Sequence, residues 1–116
     1  MKTKMNYSEI FDTLLYINTY YYASISTYLL SIKAGMPEKK YIRGFQKLFG
    51  MTPNQHILLC RLYNACNYLI VSKHSISKIS SLCGFTNSSY FYRAFKKVYN
   101  MTPGEFRYRQ LHKDMI

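Results

Sequence analysis

Acidic residues are scarce in this chain of 116 residues, and one long interval lacks them altogether. There are 5 Asp and Glu against 16 Lys and Arg, and no acid occurs from residue 39 to residue 104. The formal net charge is +11. An ordinary solvated surface mixes charges of both signs. The composition therefore predicts a negatively charged partner, and nucleic acid, an anionic membrane surface and an acidic protein all qualify.

Long apolar runs are also missing. No run approaches the roughly 18 residues that a membrane-spanning helix needs. The basic start at residues 1–5 is followed at once by Glu9 and Asp12, not by the apolar segment of a secretory signal. The charges are not segregated along one long amphipathic helix, as attachment to a membrane surface requires. We therefore expect a cytoplasmic protein without a membrane partner.

Paired cysteines and clustered metal ligands are absent too. The three cysteines, Cys60, Cys66 and Cys83, form no C-x-x-C pair and fall at apolar positions of predicted helices. Buried reduced thiols are the expectation for such positions in a cytosolic protein. A structural zinc site needs four ligands, and His56 and His74 are the only histidines nearby. We expect no metal and no cofactor.

Combinations of residues that catalyse reactions do not occur either. The sequence has no G-x-x-x-x-G-K loop that would bind phosphates. The few acids are scattered, and serines such as Ser88 and Ser89 have no acid–base partner nearby in sequence. We predict that the chain is not an enzyme and has no catalytic residues.

What the chain does contain is a short helix followed by a glycine. Ile76, Ile79 and Leu82 recur every three residues, as one apolar face of a helix requires. Ser75 precedes them as an N-cap. Gly84 follows, and glycine easily adopts the left-handed conformation of a helix stop. The pattern predicts a short helix that ends in a tight turn.

A second helix follows the turn, with Thr86 as its predicted N-cap. Its predicted buried face consists of Tyr90, Phe91, Ala94, Phe95 and Val98. Basic side chains, among them Arg93, are left for the outside. Two short helices joined by a glycine turn are typical of a helix-turn-helix, whose second helix enters the DNA major groove. An ordinary helical hairpin is the alternative.

The motif is duplicated. Ser26 and Gly35 correspond to Ser75 and Gly84 at a shift of 49 positions. Phe45 and the Met-Thr-Pro segment at 51–53 then correspond to Phe95 and the same three residues at 101–103, at a shift of 50. Two copies are too few to stack into a solenoid. The duplication predicts two similar helical subdomains, and it favours the helix-turn-helix over a chance hairpin.

The second copy resembles the signature of the AraC/XylS transcription regulators. The matching residues are Gly-Phe-Thr-Asn-Ser-Ser-Tyr-Phe-Tyr-Arg-Ala-Phe-Lys-Lys at 84–97, followed by Met-Thr-Pro at 101–103. The resemblance extends from about Ser26 to Arg107. It includes a joining helix that carries Pro53, Ile57, Arg61, Ala65, Leu69 and Ile70 at the family's positions. It implies an all-α domain of about seven helices, in which a long central helix joins two helix-turn-helix units.

The predicted organisation is a first subdomain at 1–52, a linker helix at 53–72 and a second subdomain at 73–116. We predict a first helix from Tyr7 to Tyr22 with Ser8 as its N-cap. Pro37 is placed in the first turn of the helix that carries Phe45. The long helix is predicted to run to Val71, with Thr52 as its N-cap and Pro53 at its first position. A last helix is predicted from Pro103 to His112.

The second helix of the first copy has one stripe suited to reading bases. Lys39, Ile42, Arg43 and Gln46 share that stripe at helical spacing. Lys or Arg can bind guanine, Gln can pair with adenine, and an apolar side chain can meet the thymine methyl. The alternative is a solvated face with Ile42 in the core. The resemblance implies base contacts at Lys39, Ile42 and Arg43.

In the second copy the corresponding stripe is Ser88, Ser89, Tyr92 and Arg93, which match family positions that meet bases or nearby phosphates. Serine gives ambiguous readout, so this helix is expected to anchor more than it discriminates. Partial burial of Tyr92 against Tyr99 is the alternative for that residue. Phosphate contacts, which position the protein without specifying sequence, are predicted for Lys40, Lys47, Thr86, Lys96, Lys97 and Arg107.

Together these patterns predict a sequence-specific regulator of transcription that inserts two recognition helices into successive major grooves of double-stranded DNA. The resemblance implies activation through contacts with RNA polymerase. No small-molecule effector is evident from the sequence. Two alternatives stay open, namely a non-specific or architectural nucleic-acid-binding protein and a protein-interaction module on the same fold.

Overall fold

The computed structural model describes residues 7–113, and the secondary structure within them consists of seven helices joined by turns, with no strand. This confirms the predicted all-α class. The predicted basic start at residues 1–5 lies outside the described residues. The helices are α1 (Tyr7–Tyr20), α2 (Thr27–Lys33), α3 (Glu38–Phe49), α4 (Pro53–Val71), α5 (Ile76–Leu82), α6 (Ser88–Tyr99) and α7 (Pro103–His112).

The first helix of each helix-turn-helix begins at a serine and ends before a left-handed glycine. The hydroxyl of Ser26 accepts a hydrogen bond from the Leu29 amide, and that of Ser75 accepts one from the Lys78 amide, both at 3.1 Å. Each such N-cap contributes about 1 kcal/mol to helix stability. Gly84 then has a φ of 96°, which a residue with a Cβ adopts only with strain. The predictions of a cap at Ser75 and a stop at Gly84 are confirmed.

Three predicted helix starts are wrong. The N-cap of α6 is Asn87, whose side-chain oxygen accepts from the Tyr90 amide at 3.1 Å, so Thr86 lies one residue outside the cap. Asn and Thr are both good caps, and sequence alone does not decide between neighbours. Ser8 lies inside α1, which already begins at Tyr7. Pro37 precedes the first residue of α3 and occupies the cap position, where it makes no side-chain hydrogen bond.

The second helix of each unit ends sharply in a left-handed residue. Gly50 has a φ of 75° and Asn100 a φ of 60°. Their amides donate to the carbonyls of Gln46 and Lys96, each at 2.8 Å. Glycine and asparagine are the residues that most readily adopt this conformation at a helix end. The chain therefore turns at equivalent points in both copies.

Each turn leads into a capping box. Thr52 accepts from the Gln55 amide at 3.2 Å, and its own amide donates to the Gln55 side chain at 2.8 Å. Thr102 and Glu105 make the same reciprocal pair at 3.1 and 3.3 Å. Each box satisfies two amides that a helix start would otherwise leave unpaired. The predicted cap at Thr52, with Pro53 at the first helical position, is confirmed.

The chain forms two compact units, the first ending at Cys60 and the second beginning at Arg61, within α4. The buried core of the first unit consists of Ile10, Ile17, Leu30, Ala34, Tyr41, Phe45 and Ile57. Buried apolar side chains of the second unit are Leu62, Ala65, Leu69, Ile79, Cys83, Phe85, Phe91, Ala94 and Phe95. The sequence-based division at 1–52, 53–72 and 73–116 stays a prediction.

Two residues assigned to the buried face of α6 are in fact exposed. Tyr90 is 46% and Val98 is 40% exposed, whereas Phe91 and Phe95 are fully buried. Tyr90 lies about 100° around the helix from Phe91, at 3.6 residues per turn, and so falls outside the buried stripe. In the last turn the ring of Tyr99 packs at 4.7 Å from that of Phe95 and takes the place predicted for Val98.

Candidate nucleic-acid interface

Helix α3 presents an exposed polar face. Lys39, Arg43 and Gln46 are exposed, and their spacing of four and three puts them on one side of the helix. Ile42, predicted in the same stripe, is half-buried and packs against the core of the first unit. Three of the four predicted side chains therefore stand together in solvent, while Ile42 lies at the border between this face and the core.

Two aromatic residues on the opposite side fix how α3 is rotated. Tyr41 and Phe45 are fully buried. The Tyr41 hydroxyl lies 2.8 Å from the hydroxyl of Thr13 on α1, which itself donates to the Ile10 carbonyl at 2.6 Å. Burial raises the pKa of Tyr41, so its hydroxyl stays protonated and able to hydrogen-bond. This polar contact inside an apolar core holds α3 with its basic side outward.

Helix α6 presents the face predicted for the second unit. Ser88, Ser89, Tyr92 and Arg93 are all exposed. Tyr92 is 40% exposed, and its ring meets the edge of Phe91 with centroids 6.2 Å apart. The surface combines short hydroxyls, one phenol and one guanidinium. It offers fewer groups that discriminate between bases than the α3 face does.

Several predicted phosphate contacts are also exposed. They are Lys47, Thr86, Lys96 and Lys97, whereas Lys40 is half-buried. Thr86 lies just outside the start of α6, where backbone amides without an intrahelical partner suit an anion. These side chains can bind phosphate without reading bases. Their role on DNA stays a prediction.

Arg107 makes structural contacts that sequence reasoning missed. Its Nε donates to the Leu69 carbonyl at 3.0 Å, and one terminal nitrogen donates to the Ser72 carbonyl at 3.2 Å. The guanidinium thereby satisfies carbonyls at the end of α4, where positive charge also complements the helix dipole. No local sequence pattern could have shown this, because Arg107 and the end of α4 are more than thirty positions apart. A phosphate contact from Arg107 stays a prediction.

Arg61, a residue of the implied family pattern, is half-buried on α4. Burial lowers the pKa of its guanidinium. The electrostatic interaction with Tyr90 acts in the opposite direction and raises the pKa of Arg61. A half-buried cation adds to the positive potential of the second unit.

Of the acids in the first unit, Glu38 lies in the first turn of α3, next to Lys39. Glu9 and Asp12 on α1 line an open cavity of about 310 Å³ together with Thr13, Tyr16 and Lys33. The Lys33 ammonium sits 4.3 Å from the centre of the Tyr16 ring. This arrangement is a cation–π contact.

The cysteines are not joined by disulfides. Cys83 is buried, as predicted, and burial raises the pKa of its thiol to about 12. Cys60 and Cys66 are half-buried, and burial raises the pKa of both thiols. Cys66 also hydrogen-bonds the hydroxyl of Tyr99, whose pKa is raised mainly by burial. Thiols held in this protonated form are poor nucleophiles.

Within residues 7–113, no three His, Cys, Asp or Glu residues cluster in a way that could hold a metal ion. Among the helices of that range, none combines the length and apolar character that crossing a membrane requires.

A family profile described as a helix-turn-helix domain matches residues 30–109, which include the four helices of both motifs apart from the first turn of α2. The chain belongs to the AraC/XylS family. An AraC-type transcriptional regulator from Chromobacterium violaceum has a similar structure, with a TM-score of 0.81 at 23% identity over 89% of this chain and 92% of that one.

Two further proteins are similar to this AraC/XylS chain. The probable transcriptional regulator LumQ of Photobacterium leiognathi is 30% identical over 93 residues, which are 80% of this chain and 38% of that protein. The DNA-binding domain of AdpA, solved in complex with a target DNA, has a TM-score of 0.83 at 21% identity over 87% of this chain and 93% of that one. The structural likenesses show the fold. The chain spans between about a fifth and just under two thirds of the length of the curated relatives it matches, and 38% of LumQ.

Proposed function

We propose that this chain binds double-stranded DNA in a sequence-specific manner and regulates transcription, acting in the cytosol. The observation that carries the proposal is the exposed face of α3, on which Lys39, Arg43 and Gln46 stand together without an acid among them. Each of these side chains can pair with a base edge in the major groove. The fold, shared with a domain that was solved on its target DNA, supports the same conclusion.

The two units contribute differently in this proposal. Helix α3 supplies most of the discrimination, because a bidentate Arg43 selects guanine and Gln46 selects adenine. Helix α6 supplies Arg93 and three hydroxyl-bearing side chains, which contact bases less selectively. Phosphate contacts from Lys47, Lys96 and similar side chains add affinity that falls as salt rises. The two helices are proposed to enter successive major grooves, about 34 Å apart along the duplex.

Activation of transcription through RNA polymerase is part of the proposal and is supported by family membership alone. The acid-free interval from 39 to 104 supports DNA as the partner. It also favours one other function, non-specific binding by an architectural protein, because phosphate attraction does not require base contacts. The experiment must therefore separate specific from non-specific binding.

The first test is selection from a random duplex library, followed by titration of the selected site and a scrambled duplex at two salt concentrations. Two short determinants about 10 base pairs apart, preferred roughly a thousandfold or more over the scrambled duplex, are expected. Equal affinity for both duplexes, with steep salt dependence, would support the architectural function instead. Absence of binding at low salt would contradict both and point to a protein partner.

A matched pair of substitutions at Arg43 locates the base contact. Arg43→Ala should weaken binding to the selected site by about 1–3 kcal/mol and relax the preference at one position. Arg43→Lys keeps the charge but loses the planar fork that grips guanine, so it should also lose selectivity. Lys47→Ala serves as the phosphate control, with a uniform loss and a salt slope reduced by about 1. If Arg43→Ala weakens binding to all sequences equally and keeps full selectivity, Arg43 contacts phosphate only.

A further inference from the structure

Three polar side chains of the first unit meet at one point between α1 and α4. The Nε2 atom of His56 lies 2.8 Å from Oδ1 of Asn18. The Cys60 sulfur lies 3.3 Å from the same oxygen and 3.4 Å from His56 Nε2. One oxygen, one nitrogen and one sulfur therefore form a triangle whose three edges are all within contact distance.

The triangle is close in size to one face of a tetrahedral metal site. Ligand atoms around Zn²⁺, at about 2.3 Å for sulfur and about 2.0–2.2 Å for nitrogen and oxygen, lie about 3.4–3.6 Å from one another. The observed separations are 2.8, 3.3 and 3.4 Å. Two edges need to lengthen only slightly, and the third by about 0.6 Å by the same geometry. Because His56 and Cys60 are four residues apart on α4, they face the same side of the helix without any rearrangement.

The cluster is open to solvent. Asn18 is exposed, and His56 and Cys60 are half-buried. A cation can therefore reach the three atoms, and water can complete the coordination. Neutral imidazole is the form of histidine that binds metals. The Cys60 thiol loses its proton on binding, as thiolate ligands do.

The duplicated motif shows that the fold does not require these residue types. At the shift of 50, His56 corresponds to Phe106 and Cys60 to Gln110. The ring of His56 lies 6.0 Å from that of Phe45, and the ring of Phe106 lies 5.7 Å from that of Phe95. An apolar ring thus suffices at this position of the core. The nitrogen that His56 directs at Asn18 and Cys60 is a feature of the first unit that packing does not explain.

We propose that Asn18 Oδ1, His56 Nε2 and Cys60 Sγ bind one divalent cation of the Zn²⁺ class, with water as the fourth ligand. On binding, the cation replaces the hydrogen on Cys60 Sγ and the hydrogen on His56 Nε2. The thiol proton is released to solvent, and the imidazole proton moves from Nε2 to Nδ1. With only two of the strong ligands that zinc prefers, the site binds more weakly than a structural site with four protein ligands. Bound metal would clamp α1 to α4 within the first unit.

Cobalt titration of the full chain tests the site. Co²⁺ replaces Zn²⁺ in such sites, and tetrahedral coordination with a thiolate gives intense visible bands and a charge-transfer band in the near ultraviolet. Both are expected for the unaltered protein, and Zn²⁺ should displace them. Cys60→Ser and His56→Phe should abolish the charge-transfer band. Cys66→Ser, which removes a half-buried thiol elsewhere, should leave it unchanged.

Two further measurements keep the outcome unambiguous. His56→Phe introduces the residue that the second copy carries, so circular dichroism should show an unaltered fold. Asn18→Asp replaces a neutral oxygen by a carboxylate and should tighten cobalt binding. Zn²⁺ should raise the Tm of the unaltered protein and not that of Cys60→Ser. No charge-transfer band, or a band that survives in Cys60→Ser, would overturn the proposal.

Discussion

The two helix-turn-helix units share one framework and differ in what they display. Phe45 and Phe95 occupy equivalent buried positions. Gly50 and Asn100 make the same left-handed helix end, and each is followed by a threonine capping box. These positions are fixed by packing and by backbone geometry, which are the same in both units. Similarity between the copies is therefore concentrated where the fold is determined.

The exposed faces of the two units differ in chemistry. At the shift of 50, Lys39 corresponds to Ser89 and Gln46 to Lys96, while Arg43 and Arg93 are alike. The outer side of α2 carries the exposed Tyr28, Leu29 and Ile32, where α5 has Ser77, Lys78 and Ser81 at the shift of 49. Side chains in solvent contribute little to folding, so they are free to specialise. In the proposed function, the first unit selects the sequence and the second holds the duplex.

The shared framework can be tested by removing one buried aromatic ring from each unit. Phe45→Ala and Phe95→Ala each remove a fully buried ring and should destabilise their own unit by about 3–5 kcal/mol. The measurement is urea unfolding followed by amide NMR signals assigned to each unit. Similar losses are expected, because each ring packs on an equivalent ring of the following helix, His56 or Phe106. A loss below about 1 kcal/mol at either position would show that this unit is not held by its aromatic core.

The difference between the two exposed faces is tested at one pair of equivalent residues, Lys39 and Ser89. Lys39→Ala should weaken binding to the selected site by about 1–3 kcal/mol and relax the preference at one base pair. Ser89→Ala should change affinity by less than about 1 kcal/mol, since a serine hydroxyl does not discriminate between bases. Titration against the selected duplex and its single-base variants measures both. A larger loss of selectivity from Ser89→Ala would reverse the proposed division of labour.

The helix ends provide a third comparison. Gly50→Ala should cost about 1–2 kcal/mol, because a residue with a Cβ strains the left-handed conformation. No atom lies within 4 Å of the position that this Cβ would take, so the cost comes from the backbone alone. Asn100→Ala should cost less, since Asn100 already has a Cβ in that conformation. Thermal unfolding of the two variants measures the difference, and an equal cost would contradict the argument.

Much of the fold could be predicted because the residues that determine a helix lie close together in the sequence. The apolar spacing of Ile76, Ile79 and Leu82, with the cap at Ser75 and the glycine at 84, predicts α5 from adjacent residues alone. The duplication then locates the equivalent helix of the first unit. The start of α6 was missed because Thr86 and Asn87 are both good caps, and only backbone geometry selects Asn87. Local patterns give the helix and leave its first residue open.

For the candidate interface, the exposed face of α3 could be predicted, whereas the long-range contacts could not. Exposure of Lys39, Arg43 and Gln46 follows from helical periodicity once Phe45 is placed inside. The hydrogen bonds of Arg107 to Leu69 and Ser72 join residues more than thirty positions apart, and no local pattern shows them. The same holds for the meeting of Asn18 with His56 and Cys60. Tertiary packing decides these contacts, and sequence spacing alone does not encode it.

The smallest expected effect concerns two equivalent buried serines. The hydroxyl of Ser31 donates to the Tyr28 carbonyl at 2.7 Å, whereas that of Ser80, buried as well, has no hydrogen-bond partner among residues 7–113. Ser31→Ala should lose about 0.5–1.5 kcal/mol for the hydrogen bond, while Ser80→Ala should be neutral or stabilising, because it removes an unsatisfied hydroxyl. Both variants gain the same helix propensity from alanine, so that contribution cancels in the difference. Urea unfolding of the pair measures that difference. Equal effects would mean that the Ser80 hydroxyl is satisfied in solution and that the two units are more alike inside than the structure indicates.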